Sequence, residues 1–144
     1  MAAETVALAS DHGGFELKEQ LKKELASKGY QVLDLGTNSP DSVDYPDFGQ
    51  ALADAITSGK ASKGVGLCGS GIGISIALNR KKGVRAALVH SGLEARLSRQ
   101  HNDANVLVMG GRFTGIEVAK DALNEFLTAK FEGGRHTRRI EKLG

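Results

Sequence analysis

Cys68 is the only cysteine in the chain, and it heads a glycine-rich turn, Cys68-Gly69-Ser70-Gly71-Ile72-Gly73. The apolar run Val65-Gly66-Leu67 leads into it, and an amphipathic stretch from Ile72 to Arg80 leads out. That order predicts strand, tight turn, helix. The first N–H groups of a helix lack intrahelical partners and carry partial positive charge. Such a field stabilises negative charge on a nearby sulfur. The same N–H groups can hold an oxyanion forming beside it. One segment thus encodes a nucleophile or base together with an anion hole. The bland alternative is a buried, inert thiol, the usual fate of a lone cysteine. Placement at the turn, outside the apolar run itself, favours function.

Three further segments could do chemistry. Asp11-His12-Gly13-Gly14 follows the first predicted strand, where Asp11 has the ordinary alternative of capping a helix and His12 that of a solvated loop residue. His101-Asn102-Asp103 closes a predicted helix and by itself reads as a C-terminal cap with polar loop residues. Gly133-Gly134-Arg135-His136-Thr137-Arg138-Arg139 by itself reads as a frayed basic tail. On a helix, however, Arg135 and Arg139 would face the same way, a spacing that suits a phosphate clamp. A metal site is not expected, because the four histidines (His12, His90, His101, His136) are scattered in sequence and form no helical His-x-x-x-His pair. Nor is a dinucleotide: that fingerprint follows the first strand, with an acid about twenty residues later. Here the turn follows the third strand, and Asn79-Arg80-Lys81 lies downstream.

The elements that must position these residues alternate. Strands are expected at Thr5–Ser10, Gln31–Asp34, Gly64–Leu67, Val84–Val89 and Asn105–Met109. Helices are expected at Gly14–Ser27, Pro46–Ser58, Ile72–Arg80, Leu93–Gln100 and Ile116–Lys130, with a turn-rich loop over Gly36–Asp41 and a basic C-terminal tail. Such alternation implies a Rossmann-like α/β fold, a three-layer α/β/α sandwich around a five-stranded parallel sheet. Ligands bind such sheets at the carboxyl ends of the strands, which is where Asp11 and Cys68 fall.

The 144 residues and 40% apolar content suit one soluble domain over residues 1–144. A formal net charge of +2 is too small to argue for nucleic acid. The local positive charge of Arg135, Arg138, Arg139 and Lys142 suggests a small anionic ligand instead. A lone cysteine excludes an intrachain disulfide and fits a reducing compartment. No signal-like leader or membrane-length apolar run is visible, so a cytoplasmic location without membrane association is expected.

Taken together, several segments resemble ribose-5-phosphate isomerase type B. They are Ser10-Asp11-His12-Gly13-Gly14, Asp44-Tyr45-Pro46, Leu67 to Gly73, Leu97 to Val106, Gly110-Gly111-Arg112 and Glu132-Gly133-Gly134-Arg135-His136. The resemblance covers nearly the whole chain. It implies interconversion of ribose 5-phosphate and ribulose 5-phosphate without metal or cofactor, as in the non-oxidative pentose phosphate pathway. It assigns Cys68 as the base between C2 and C1 and His101 to furanose ring opening. Ser70 offers a hydroxyl near O1 and O2, and backbone amides from Gly69 through Gly71, Ile72 and Gly73 hold the enediolate. Asp11 and Asn102 bind sugar oxygens. His12, Arg112, Arg135 and Arg139 surround the phosphate, and Tyr45 lines the pocket. One branch of the family lacks the cysteine and uses a Glu six positions on; that position here is Ile74, which cannot take a proton. Two alternatives remain: an isomerase of six-carbon sugar phosphates such as allose or galactose 6-phosphate, and a non-catalytic sugar-phosphate sensor.

Topology adds one expectation. Cys68 follows strand three at the carboxyl edge, whereas His101 precedes strand five and lies nearer the opposite edge. A five-residue strand spans roughly 17 Å. One substrate reaches both residues most simply if His101, Asn102, Arg135 and Arg139 enter the site of a neighbouring copy. That gives a homodimer, or a dimer of dimers, with shared sites.

Overall fold

The computed structural model describes residues 3–144. Its strands are β1 (Thr5–Ser10), β2 (Gln31–Asp34), β3 (Lys63–Cys68), β4 (Ala86–Leu88) and β5 (Val106–Gly110). Its helices are α1 (Phe15–Ser27), α2 (Tyr45–Thr57), α3 (Ile72–Asn79), α4 (Gly92–Asn102), α5 (Ile116–Thr128) and α6 (Arg135–Glu141), with a single 3-10 turn over His12–Gly14. The strands form one parallel sheet in the order β2-β1-β3-β5-β4. The expected five-stranded parallel α/β architecture is therefore present.

Alternation along the strands divides the core in two. Val6, Leu8, Val65, Leu67, Leu107 and Met109 face α1, α4 and α5. Ala7, Ala9, Cys68, Val106 and Val108 face α2 and α3. Helices α1 and α5 bring apolar stripes to their layer: Leu17, Leu21 and Leu25 on α1, and Ala119, Ala122, Leu123 and Phe126 on α5, all buried. Lys18 shares the buried face of α1 and is fully buried. Its ammonium lies 2.8 Å from an Asp34 oxygen at the end of β2 and 2.8 Å from Glu19.

The order matters for function. β1 has β2 on one side and β3 on the other, so the chain reverses its direction across the sheet between these two strands. In open α/β sheets the crevice at such a switch point is the ligand site. The carboxyl ends that meet there are those of β1, just before Asp11, and of β3, at Cys68.

Three boundaries differ from expectation. The tail is no frayed end, because α6 is a helix through Arg135 and Arg139. His101 and Asn102 lie in the last turn of α4, and the left-handed C-cap is Asp103 (φ 46°). Cys68 is the last residue of β3 and pairs in register with Gly110; it does not follow the strand.

Candidate active site

Three loops converge at the switch point. The Asp11 N–H donates to the Leu67 carbonyl at 3.3 Å, tying the end of β1 to β3. A Cβ on Gly13 would lie 2.8 Å from the Gly69 nitrogen, so only glycine lets these two loops touch. From the other side, the Gly111 N–H donates to the Cys68 carbonyl at 2.8 Å, and the Arg112 N–H to the Gly69 carbonyl at 3.0 Å. The Arg112 side chain lies against Gly69, and the Tyr45 ring lies over Gly73 at the start of α3.

Cys68 is only 4% exposed, at the floor of this junction. Its Sγ accepts a hydrogen bond from the Gly71 N–H at 3.1 Å. Gly71 holds φ +81°, a left-handed conformation in which a side chain would also strike Leu88. Glycine thus aims that N–H back at the sulfur. Ser70 Oγ accepts from the Ile72 N–H at 3.1 Å. The ladder of α3 begins with Ser75 N–H donating to Gly71 O, so the N–H groups of Gly73 and Ile74 precede it. The arrangement corrects the sequence reading in two respects. Two of the expected anion-hole donors, Gly71 and Ile72, already have partners, the sulfur and the Ser70 hydroxyl. Burial of Cys68 is also greater than a turn residue would have, so its case for function rests on its surroundings. Ile74, where a carboxylate would be the alternative base, is fully buried among apolar side chains.

Asp11 serves as a cap after all: Oδ1 accepts from the Gly13 and Gly14 N–H groups at 2.9 and 3.2 Å. The cap occupies only that oxygen. His12 is exposed, and its Nδ1 accepts from the Val43 N–H at 3.1 Å, fixing the ring beside the loop that leads to Tyr45.

The remaining expected site residues form a second group. His101 and Asn102 end α4, which runs from the carboxyl end of β4 back to the amino end of β5. Asn102 there lines a cavity with Arg85 and Ala104, at the amino ends of the strands. Arg135 and Arg139 are exposed on α6, which contacts α4. One copy of the chain therefore places Cys68, Asp11, His12, Tyr45, Ser70 and Arg112 at one edge of the sheet, and His101, Asn102, Arg135 and Arg139 towards the other. The expected phosphate group is split between the two.

This second group also overturns the picture of scattered histidines. The His101 and His136 rings stack with centroids 4.5 Å apart and planes 13° from parallel. Glu132 Oε1 lies 3.6 Å from His136 Nε2 and 3.9 Å from His101 Nε2. Burial pushes the His136 pKa below its ordinary 6.5, helped by the positive charge of Arg135 and of His101 and opposed by Glu132. Sequence reading assigns no role to Glu132 or His136. The available signal was their place in the motif segment Glu132-Gly133-Gly134-Arg135-His136.

Comparison with known proteins agrees with this geometry. The family model described as Ribose/Galactose Isomerase matches residues 6–143. The chain belongs to that family. It is 43% identical over 138 residues to ribose-5-phosphate isomerase B of Escherichia coli K12, covering 96% of this chain and 93% of that one. Among solved structures it is similar to ribose-5-phosphate isomerase B of Clostridium thermocellum, with TM-score 0.96, 46% identity, and coverage of 97% and 95% of the two chains. The corresponding Thermotoga maritima enzyme gives TM-score 0.97 at 49% identity, covering 99% and 98%. The span matched by the family model includes both groups of site residues.

Proposed function

We propose that this protein interconverts ribose 5-phosphate and ribulose 5-phosphate through an enediolate, with Cys68 as the base. The observation that carries the reading is the junction at the switch point: a buried thiol, a hydroxyl at Ser70 and the N-terminus of α3 around one crevice. The similarity to ribose-5-phosphate isomerases B over almost the full length supports the substrate.

In this reading the Cys68 thiolate takes the C2 proton of the open-chain aldose and returns it to C1. The negative charge that develops on the substrate oxygen replaces that on sulfur. The Gly71 N–H, now donating to Sγ, is then free to follow the charge, together with neighbouring amides of the turn. Ser70 Oγ moves protons between O1 and O2. His12 and Arg112 receive part of the phosphate, whose binding energy holds C1 and C2 over the sulfur. Asp11 binds a sugar hydroxyl through the oxygen its cap leaves over.

Ring opening requires His101, and the separation of the two edges supports a site completed by a second copy. That copy would contribute His101 and Asn102 together with Arg135 and Arg139. Ile72 and Ile76, one turn apart on α3 beside the Cys68 turn, are 56% and 53% exposed, an apolar surface that such a copy would cover. A cytoplasmic location fits the lone free cysteine. Among the described residues no helix is long and apolar enough to cross a membrane.

The test is a coupled assay of the purified protein with ribose 5-phosphate, allose 6-phosphate and galactose 6-phosphate in parallel. Turnover is expected with ribose 5-phosphate, at the highest kcat/KM of the three. A preference for either six-carbon substrate would reassign the enzyme within its family, and binding without turnover would make it a sensor.

A further inference from the structure

We propose that His101, Glu132 and His136 bind a transition-metal cation of the Zn2+ class, and that the bound ion inhibits the enzyme by occupying the ring-opening imidazole. The inhibitory half rests on the function proposed above; the binding half stands on geometry alone. Each of the three residues offers one ligand atom, and these atoms lie within 4.8 Å of one another. With Zn–N bonds of about 2.0–2.1 Å, tetrahedral ligands sit about 3.3 Å apart. The observed separations from Glu132 Oε1, 3.6 and 3.9 Å, are close to that spacing.

A second observation points to a ligand. His136 is 6% exposed, and its Nε2 is buried with no hydrogen-bond partner among the described residues. Buried ring nitrogens are ordinarily satisfied. This one faces the Glu132 carboxylate at 3.6 Å without a hydrogen bond to it. Two imidazole nitrogens and one carboxylate make a set found in zinc sites that keep a fourth position open to water. Magnesium and calcium prefer oxygen ligands and are poorly served here.

The stack decides how the site would close. Nearly parallel rings cannot aim both nitrogens at one ion, so one ring must turn. His136 is held by burial. The His101 side chain is 39% exposed and can move. Metal binding therefore draws His101 out of the stack and takes the nitrogen needed for the sugar. The Arg135 and Arg139 charges oppose a cation, so the site is expected to load and unload readily.

Zinc binding to the full-length protein is followed by calorimetry or competition with a chromophoric indicator, and isomerisation is assayed over the same zinc range. Wild type is expected to take up one zinc per chain and to lose activity over that range, with recovery on adding EDTA and no effect of Mg2+. Glu132→Gln removes one ligand, and His136→Phe removes another while keeping an aromatic surface for His101 to stack on. Even outer-shell partners of a metal are worth roughly 10–100-fold in affinity, so each variant should bind zinc at least about tenfold more weakly. Inhibition, scored against each variant's own zinc-free rate, should weaken in parallel. Absence of binding by wild type, or equal binding and inhibition of wild type and Glu132→Gln, overturns the proposal. Failure of the isomerase reading would appear separately, as no turnover of ribose 5-phosphate in metal-free protein.

Discussion

The division of the site residues between two edges of the sheet sets up a complementation experiment. Cys68→Ala and His101→Ala are each expected to lack activity. Cys68 ends β3 level with Gly110, the last residue of β5, whereas α4 delivers His101 just before the first residue of β5. Five residues at about 3.3 Å each put roughly 17 Å between these levels, beyond the span of one pentose phosphate. If each site takes Cys68 from one copy and His101 from another, a mixed dimer has one intact site and one doubly damaged site. Random reassortment makes about half the dimers mixed, so the mixture should recover about one quarter of wild-type activity. Mixed dimers isolated with two different affinity tags should reach about half. The coupled assay reads both values directly. Tag-verified mixed dimers no more active than either parent would show that each copy builds its own site, and that the route of α4 misplaces His101.

Three further outcomes are expected. Cys68→Ala should stop both turnover and solvent-deuterium incorporation while ribose 5-phosphate binding survives; continued exchange would remove Cys68 from the role of base. Arg135→Ala or Arg139→Ala should raise KM for ribose 5-phosphate about tenfold or more, since a charge-assisted contact contributes roughly 1.5–3 kcal/mol, and equal losses with free ribose would exclude a phosphate contact. Asp34→Asn leaves the buried Lys18 with only Glu19 and should cost about 3 kcal/mol at neutral pH, read as the urea midpoint. Burial would raise the Asp34 pKa, but hydrogen bonds from Lys18, the Gly36 N–H and Lys22 outweigh it and hold it below the ordinary 3.8. Its stabilisation is therefore fully present above pH 3.8 and is lost as pH falls through the lowered folded value, so wild type and Asp34→Asn should converge in strong acid; a gap that persists there would mean the carboxylate's charge is not the source.

β1 matches its sequence-predicted limits because Thr5 to Ala9 is an uninterrupted apolar or β-branched run, and β2 matches around the shorter apolar pair Val32-Leu33. β4 is shorter than the run Val84–Val89. It has one partner strand, and at its entrance Asn105 Oδ1 accepts from the Arg85 N–H and Asn79 Oδ1 from the Ala86 N–H, each at 2.8 Å. Those side chains take the N–H groups at the strand's entrance, and no hydropathy pattern signals that. Lys18 was equally illegible: a lysine on the Leu17–Leu21–Leu25 face is buried only because Asp34, on another element, arrives to pair with it. α6 is not among the expected helices because Arg135, Arg138 and Arg139 leave it almost no apolar stripe. What anchors it is His136, packed on His101 from α4, a contact between segments more than thirty residues apart.

That contact bears on how the enzyme is assembled. The motifs mark both groups of site residues in the sequence, but their partition depends on the direction of α4, which only the folded topology supplies. In the proposed mechanism the group around His101 would carry the ring-opening imidazole and two of the four expected phosphate ligands, fastened to each other through the His101–His136 stack. The group around Cys68 would carry, in the same mechanism, the base, the anion hole and the other two. A single copy would hold half a phosphate clamp over a base that meets only the open-chain sugar. Association of two copies would bring the missing imidazole and the missing arginines in one step, because α4 and α6 travel together. Under that proposal substrate affinity and access to the closed-ring sugar would be coupled to the same contact, and a surface change that separates the copies without touching a site residue should impair both.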